Sequence, residues 1–223
     1  MNVAIRNAND AISLAQTAEG ALSKINDMGQ RMRELAVQSA NATNSESDRE
    51  SLDAEFQALS AEIKRNLEGT SFNGTKLFAA LATMTFQVGA NNTATDQIAV
   101  VTTNLTADTT MTGILGGGGG GATAADIKNV DKSREALDKL DKMLATINAK
   151  RAEFGATQNR FEAVIQTLQV SAENQTAARS RIMDADFASE TAALTRSQVL
   201  QQAGTAMLSQ ANSLPNNVLS LLR

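Results

Sequence analysis

A seven-residue apolar register that runs without a slip from Leu137 to Ala172 constrains this chain more than any other feature. Leu137, Leu140, Leu144, Ile147, Phe154, Phe161, Ile165, Leu168 and Ala172 recur at alternating steps of three and four, and only Arg151 and Gln158 interrupt the seam with polar groups. A helix of this length spans roughly 54 Å at 1.5 Å per residue, about twice the width of a small compact domain. The expected molecule is a rod. Two polar seam residues argue against an isolated two-stranded zipper and for a wider, wetter bundle whose partner helices lie elsewhere in the chain.

Those partners are visible upstream. From about Val3 to Ala40, Ile5, Ala8, Ile12, Ala15, Ala18, Leu22, Ile25, Met28, Met32 and Leu35 recur at steps of three or four, although Gly20 and Gly29 each weaken a helix interior by ~1 kcal/mol against Ala. The polar stretch Asn41 to Ser45 reads as a turn. Ser47 with Glu50 three residues on reads as a capping box, opening a second helix with the face Leu52, Phe56, Leu59, Ile63 and Leu67 and ending at Gly69. Three long helices make an antiparallel or mixed bundle.

Between Thr70 and Leu115 the period changes. Asn73-Gly74 is a hairpin dipeptide, and Met84, Phe86 and Val88 alternate with Thr85 and Gln87 as a half-buried strand does. Gln97 to Leu105 reads as the partner strand across a loop from Ala90 to Asp96. Six consecutive glycines, Gly116 to Gly121, follow. They act as a hinge, a naturally shortened insertion point or an engineered linker; no strand, Lys-Ser/Thr pair or spaced glycine pattern accompanies them to suggest a phosphate cradle. Beyond Ser171 the chain turns polar, then resumes an apolar face at Ile182, Phe187, Leu194, Leu200, Ala203, Met207 and Ala211, closing with Leu214, Val218, Leu219, Leu221 and Leu222 around the single proline. An apolar terminus of this kind wants a partner. Pro215, after Asn212-Ser213, is expected to split it into a longer helix and a short terminal one. The fold class is thus mainly α: an elongated helical bundle or coiled-coil rod with a small β-hairpin element and a carboxy-terminal helical segment.

Composition limits the chemistry. The chain has no Cys, His, Trp or Tyr. Zinc sites, thiol nucleophiles and histidine-assisted triads are therefore out of reach, and there is no disulfide framework. Twenty-four acidic against twenty basic residues leave a net charge of −4, which gives no pull toward nucleic acid. No apolar run approaches the ~20 residues of a membrane span, and no cleavable leader precedes the first helix. A carboxylate hydrolase built on Asp184 and Asp186 is disfavoured, because residues two apart on a helix point away from each other. Asn41, Asn73, Asn91, Asn104 and Asn174 each begin an Asn-x-Ser/Thr triplet, a pattern that arises by chance in chains rich in Ser and Thr.

A resemblance runs through nearly the whole sequence apart from about Thr93 to Ala125. Arg6-Asn7-Ala8-Asn9-Asp10, Leu14-Ala15-Gln16, Glu19-Gly20-Ala21-Leu22 and Gln30-Arg31-Met32-Arg33-Glu34-Leu35-Ala36-Val37-Gln38 closely resemble the amino-terminal rod of bacterial flagellin. The likeness continues through Phe72-Asn73-Gly74, Phe86-Gln87-Val88-Gly89-Ala90 and Asn159-Arg160-Phe161. It finishes with Asp184-Ala185-Asp186-Phe187-Ala188, Gln201-Gln202-Ala203-Gly204 and the ending Asn217-Val218-Leu219-Ser220-Leu221-Leu222-Arg223. Two departures stand out: flagellins normally begin earlier, with a helix that pairs with the carboxy-terminal one, and they carry variable outer domains where this chain has its glycine run.

The resemblance implies a rod domain over residues 1–182, with its β element at about 70–115 and a glycine linker at 116–121, followed at 183–223 by the carboxy-terminal part of the inner filament-core domain. It implies a non-enzymatic structural subunit of the flagellar filament without cofactor or metal, exported unfolded by the flagellar secretion channel and located outside the cell. The alternative is the flagellin-like hook-filament junction protein. Implied partners are other flagellin subunits, the flagellin export chaperone, the filament cap and hook-junction proteins, and the vertebrate flagellin-sensing Toll-like receptor. By the same resemblance, Phe187, Leu194, Leu200, Met207, Leu208, Val218, Leu219 and Leu222 serve self-assembly and the chaperone. Receptor contact falls on Arg31, Leu35 and Glu55, with Gln30 and Gln38 alongside. Arg31 and Leu35, four apart, are expected to share a helix face, and Glu55 to lie beside them.

Overall fold

The structure is a computed structural model that describes residues 1–116, 124–183 and 187–221, with side chains described as far as Ala211. It divides into two compact units, Met1–Ala172 and Glu173–Arg223. In the first unit, α1 (Asn2–Ser39) and α2 (Glu46–Gly69) are joined by a short turn. Two small hairpins follow, β1 (Ser71–Phe72) with β2 (Thr75–Lys76), and β3 (Thr83–Gln87) with β4 (Gln97–Val101). A short α3 (Thr109–Leu115) precedes α4 (Val130–Met183), and α5 (Phe187–Leu221) lies in the second unit.

The heptad seam of α4 is occupied along its length. Leu140, Leu144, Ile147, Phe154, Phe161 and Leu168 are buried, while Leu137, Ile165 and Ala172 are half-buried. Its chief partner is α1, running antiparallel: Ser133 reaches Ser39, Arg33 bonds Asp141 and Gln158 bonds Glu19. Both polar seam residues turn to the same carboxylate, Gln158 Nε2 at 3.1 Å and Arg151 at 3.8 Å from the two Glu19 oxygens. A wetter seam within a bundle is what results. α1 is buried on more sides than one stripe would need, so Ala4, Ala11, Leu14, Gly29, Ala36 and Ser39 join its core face. Gly29 marks the close approach to α4, since a Cβ there would lie 2.9 Å from Leu144 Cδ2. Gly20 faces open space. Neither glycine interrupts the helix.

α2 returns antiparallel to α1, with Arg31 on Glu55 and Arg49 Nε on the Ser39 carbonyl. The capping box is real but lies two residues earlier than expected. Ser45 is the cap and Asp48 its reciprocal partner: the Asp48 N–H donates to Ser45 Oγ at 3.2 Å, and the Ser45 N–H donates to Asp48 Oδ2 at 3.0 Å. Asp spans the same i to i+3 gap as Glu, and two acidic groups then sit on the positive end of the helix.

Toward the start of α1, where α2 has ended, the β3–β4 hairpin supplies the third layer. Phe78 and Phe86 meet Phe154 and Phe161 of α4 edge-on, with ring centroids 6.5 and 5.7 Å apart. Asn7 Nδ2 donates to the Gln87 carbonyl at 2.9 Å, tying α1 to the strand end. The tighter turn at Asn73-Gly74 has both residues at positive φ, +47° and +79°, as a type I′ turn requires. The region expected to be β as far as Leu115 instead ends in α3. Asp108 caps it through the Thr110 N–H, and Met111 and Ile114 bury against the bundle. Seven residues carry too few periodic positions to reveal such a helix before its neighbours are known.

Gly117 to Gly121 lie outside the described residues, but the chain on either side is stitched together. The Ala125 N–H donates to the Ile114 carbonyl at 3.0 Å. The extended stretch after it is held by side chains rather than by a sheet. Gln57 Nε2 donates to the Ala125 carbonyl, buried Asp53 accepts the Ile127 N–H at 2.9 Å, and the Ser39 and Ser133 hydroxyls donate to the Ile127 carbonyl.

Candidate interaction surfaces

In the second unit α5 is a 35-residue helix whose only charges are Glu190 and Arg196. Thr191, Thr195 and Ser197 turn their hydroxyls back to carbonyls of the preceding turn, at 2.5, 2.7 and 2.9 Å, so they present little polarity outward. Its large apolar groups are uncovered: Phe187 is 85% exposed, Met207 73%, Leu200 66%, Leu208 65% and Leu194 55%. Val199 belongs with them, although the resemblance did not single it out. Exposed large apolar groups along one helix are the mark of a binding surface.

The expected break at Pro215 does not occur, because α5 continues through it to Leu221. Proline withholds a single N–H, and the carbonyl it leaves without a helical donor, that of exposed Ala211, is open to water, so the helix passes at a local cost. The side chains of Val218 and Leu219 lie outside the described side chains. Leu222 lies outside the described residues, as do Asp184 and Asp186. Among the described residues no helix is long and apolar enough to cross a membrane, and no acidic cluster could hold a metal ion.

The second surface is on the bundle, where α1 and α2 run side by side. Arg31 Nε donates to Glu55 Oε1 at 2.9 Å, and Arg31 Nη1 to Glu34 Oε2 at 3.0 Å. The two carboxylates, Glu55 foremost, hold the guanidinium even more firmly protonated than an ordinary arginine. Glu34 is a third member, signalled in the sequence only by its i to i+3 spacing from Arg31. Gln30 and Gln38 are exposed, and the Gln38 carbonyl accepts Asn44 Nδ2. Leu35 does not share their surface. It is 1% exposed and belongs to the apolar core. Residues four apart sit about 40° apart round a helix, and at the edge of a buried stripe that rotation separates a solvated Arg31 from a packed Leu35.

Two stretches of this chain match regions of one protein family: residues 1–83 the bacterial flagellin N-terminal helical region, and residues 137–222 the C-terminal helical region. The β3–β4 hairpin, but for its first residue, and the glycine run fall between them. A flagellin of Halalkalibacterium halodurans is 42% identical over 224 aligned positions, which cover 100% of this chain and 79% of that protein. Flagellin A of Vibrio anguillarum is 34% identical over 319 positions, covering 100% of this chain and 84% of that protein. Since 319 positions exceed the 223 residues here, the Vibrio subunit carries internal residues with no counterpart in this chain. The crystal structure of Bacillus cereus flagellin superposes with a TM-score of 0.62 at 30% identity, over 78% of this chain and 94% of that one. These relatives are flagellins and do not favour the hook-filament junction reading. With both helical regions matched in order around a bundle of the same fold, the chain belongs to the bacterial flagellins, the structural subunits that build the flagellar filament.

Proposed function

We propose that α5 is the surface by which this subunit is held in the filament, through Phe187, Leu194, Leu200, Met207 and Leu208, continued by Val218, Leu219 and Leu222. The observation that carries this is the exposure of every one of the five described side chains on a helix with only two charges. A helical polymer grows by heterologous contacts that never close, so each subunit must present an uncovered face until the next arrives. The apolar area then stabilises the polymer rather than the free subunit. No catalytic step enters. The same segment is what an export chaperone would cover before secretion, bound as an amphipathic helix in an apolar groove. The subunit would then pass unfolded through the flagellar channel, to be placed between hook-junction and cap proteins.

Hydrogen exchange on dispersed subunits and on filaments tests this. α5 amides should exchange fast in the dispersed subunit and slowly in the filament, and equal rates in both states would overturn the reading. Leu194→Asp with Leu200→Asp should abolish incorporation while the first unit melts unchanged.

A second reading rests on the Arg31–Glu55 bond, which joins α1 and α2 into one polar surface. Gln30, Arg31, Gln38 and Glu55 form the contact for the vertebrate flagellin-sensing Toll-like receptor, while Leu35 supports them from the core. Arg31→Ala combined with Glu55→Ala tests the surface without opening the core. Unchanged receptor signalling would end the idea.

A further inference from the structure

An oxidant that reaches this chain meets methionine and little else, because the sequence has no Cys, Trp, Tyr or His and has eight Met. Burial then sorts the eight. Met32, Met111 and Met143 are fully buried, Met1, Met28 and Met84 are half-buried, and Met183 and Met207 are 69% and 73% exposed. Met183 ends α4, whereas Met207 stands on the apolar face of α5. One turn before Met207 stand Ala203 and Gly204 and one turn after it Gln210 and Ala211, and a Cβ at Gly204 would meet nothing within 4 Å. A helical methionine leans back over the preceding turn, which for Met207 offers only the small residues Ala203 and Gly204. Met207 and Leu208 are thus the two long apolar side chains that this surface carries between Leu200 and Ala211, and Met207 is the one of the pair that can be oxidised.

We propose that Met207 is a redox modification site: hydrogen peroxide oxidises its thioether while the subunit is dispersed, and the sulfoxide keeps α5 from being covered. The inference rests on the reading that α5 is covered in the filament. In the reaction a sulfur lone pair attacks one peroxide oxygen, the S–O bond forms and the O–O bond breaks. The departing hydroxide takes the proton from the new S–OH group and leaves as water. Sulfur is oxidised by two electrons and the peroxide is reduced by two. The product carries a strong acceptor where an apolar group stood, and an apolar contact offers it no donor. Enzymatic reduction of the sulfoxide restores the thioether, so the modification is reversible.

The test uses filaments of the subunit, dispersed by mild heating, treated with graded hydrogen peroxide and regrown on untreated filament fragments, with each methionine followed by peptide mass spectrometry. Met207 and Met183 should be oxidised before Met32, Met111 and Met143, and incorporation should fall about tenfold or more, as an unpaired buried acceptor implies. Methionine sulfoxide reductase should restore it. Met183→Leu should lose incorporation on oxidation as the parent does, while Met207→Leu, measured against its own untreated value, should show no loss. Oxidation of Met207 no faster than of Met143, or a full peroxide-dependent loss in Met207→Leu, would overturn the proposal. Treating intact filaments separates the two readings. If Met207 is oxidised there as fast as in dispersed subunits, α5 is not covered and the assembly reading fails. If Met207 is protected in filaments yet oxidised subunits are incorporated normally, the redox proposal alone fails.

Discussion

α4 and α5 are both long helices with apolar residues at helical spacing, yet Phe161 and Leu140 are fully buried while Leu200 and Met207 stand mostly in water. The difference does not lie in the pattern. It lies in what each meets within its own unit: α4 has α1 antiparallel beside it and two phenylalanines of the β element edge-on to its rings, whereas every described α5 side chain is exposed. An amphipathic stripe therefore states a demand for cover and leaves open who supplies it. In the first unit the chain supplies its own cover; in the second the filament would.

The largest expected effect follows directly. Phe161→Ala should destabilise the first unit by about 3–5 kcal/mol, by lost transfer energy plus a cavity beside Phe86. Leu200→Ala should change the stability of the dispersed subunit by no more than about 0.5 kcal/mol, as at other exposed sites. Denaturant melts of the two variants measure both, and similar losses would break the contrast. Hydrogen exchange sharpens it: slow exchange across Leu137 to Leu168, fast exchange after Phe187. Equal protection in a verified monomer would mean that α5 finds cover within its own chain.

A smaller effect tests how the first unit covers itself without regular pairing. Asp53→Ala strands the Ile127 N–H and frees Gln57 from one of its two partners, and should cost about 1–3 kcal/mol in the same melts. The two glycines of α1 divide in sign. Gly29→Leu should destabilise by about 1–3 kcal/mol through overpacking against Leu144 and Met143. Gly20→Ala, in open space, should stabilise by about 0.5–1 kcal/mol. A stabilising Gly29→Leu would show that the α1–α4 seam is looser than the 2.9 Å approach of Leu144 to a Gly29 Cβ implies.

The smallest effect is electrostatic. The Ser45 hydroxyl and N–H hold the Asp48 carboxyl below the usual carboxylate range. A depressed pKa contributes stability above the ordinary carboxylate pKa and loses it as pH falls through the folded value. The first turn of α2 should therefore fray on acidification, seen as faster amide exchange at Asp48 and Arg49, while α5 amides, already fast in the dispersed subunit, show no matching change. Asp48→Asn should remove most of that pH dependence.

The sequence by itself determined the elements whose information is local and repeated. The heptad of α4, the faces of α1 and α2 and the Asn73-Gly74 turn could be read because each residue type reports on its neighbours three, four or two positions away. The flagellin motifs belong with these, since they are strings of adjacent residues. What lay beyond reach depends on contacts distant in sequence. Whether Leu35 is packed or solvated turns on about 40° of helix rotation, which the bundle decides. The short α3 persists because Met111 and Ile114 have a core to enter. Only packing brings Asp53 to Ile127, 74 residues on, and Glu19 to Gln158, 139 residues on. The capping serine and the passage of α5 through Pro215 were settled by small local energies, where two neighbouring solutions differ by a few kcal/mol or less and a pattern cannot rank them.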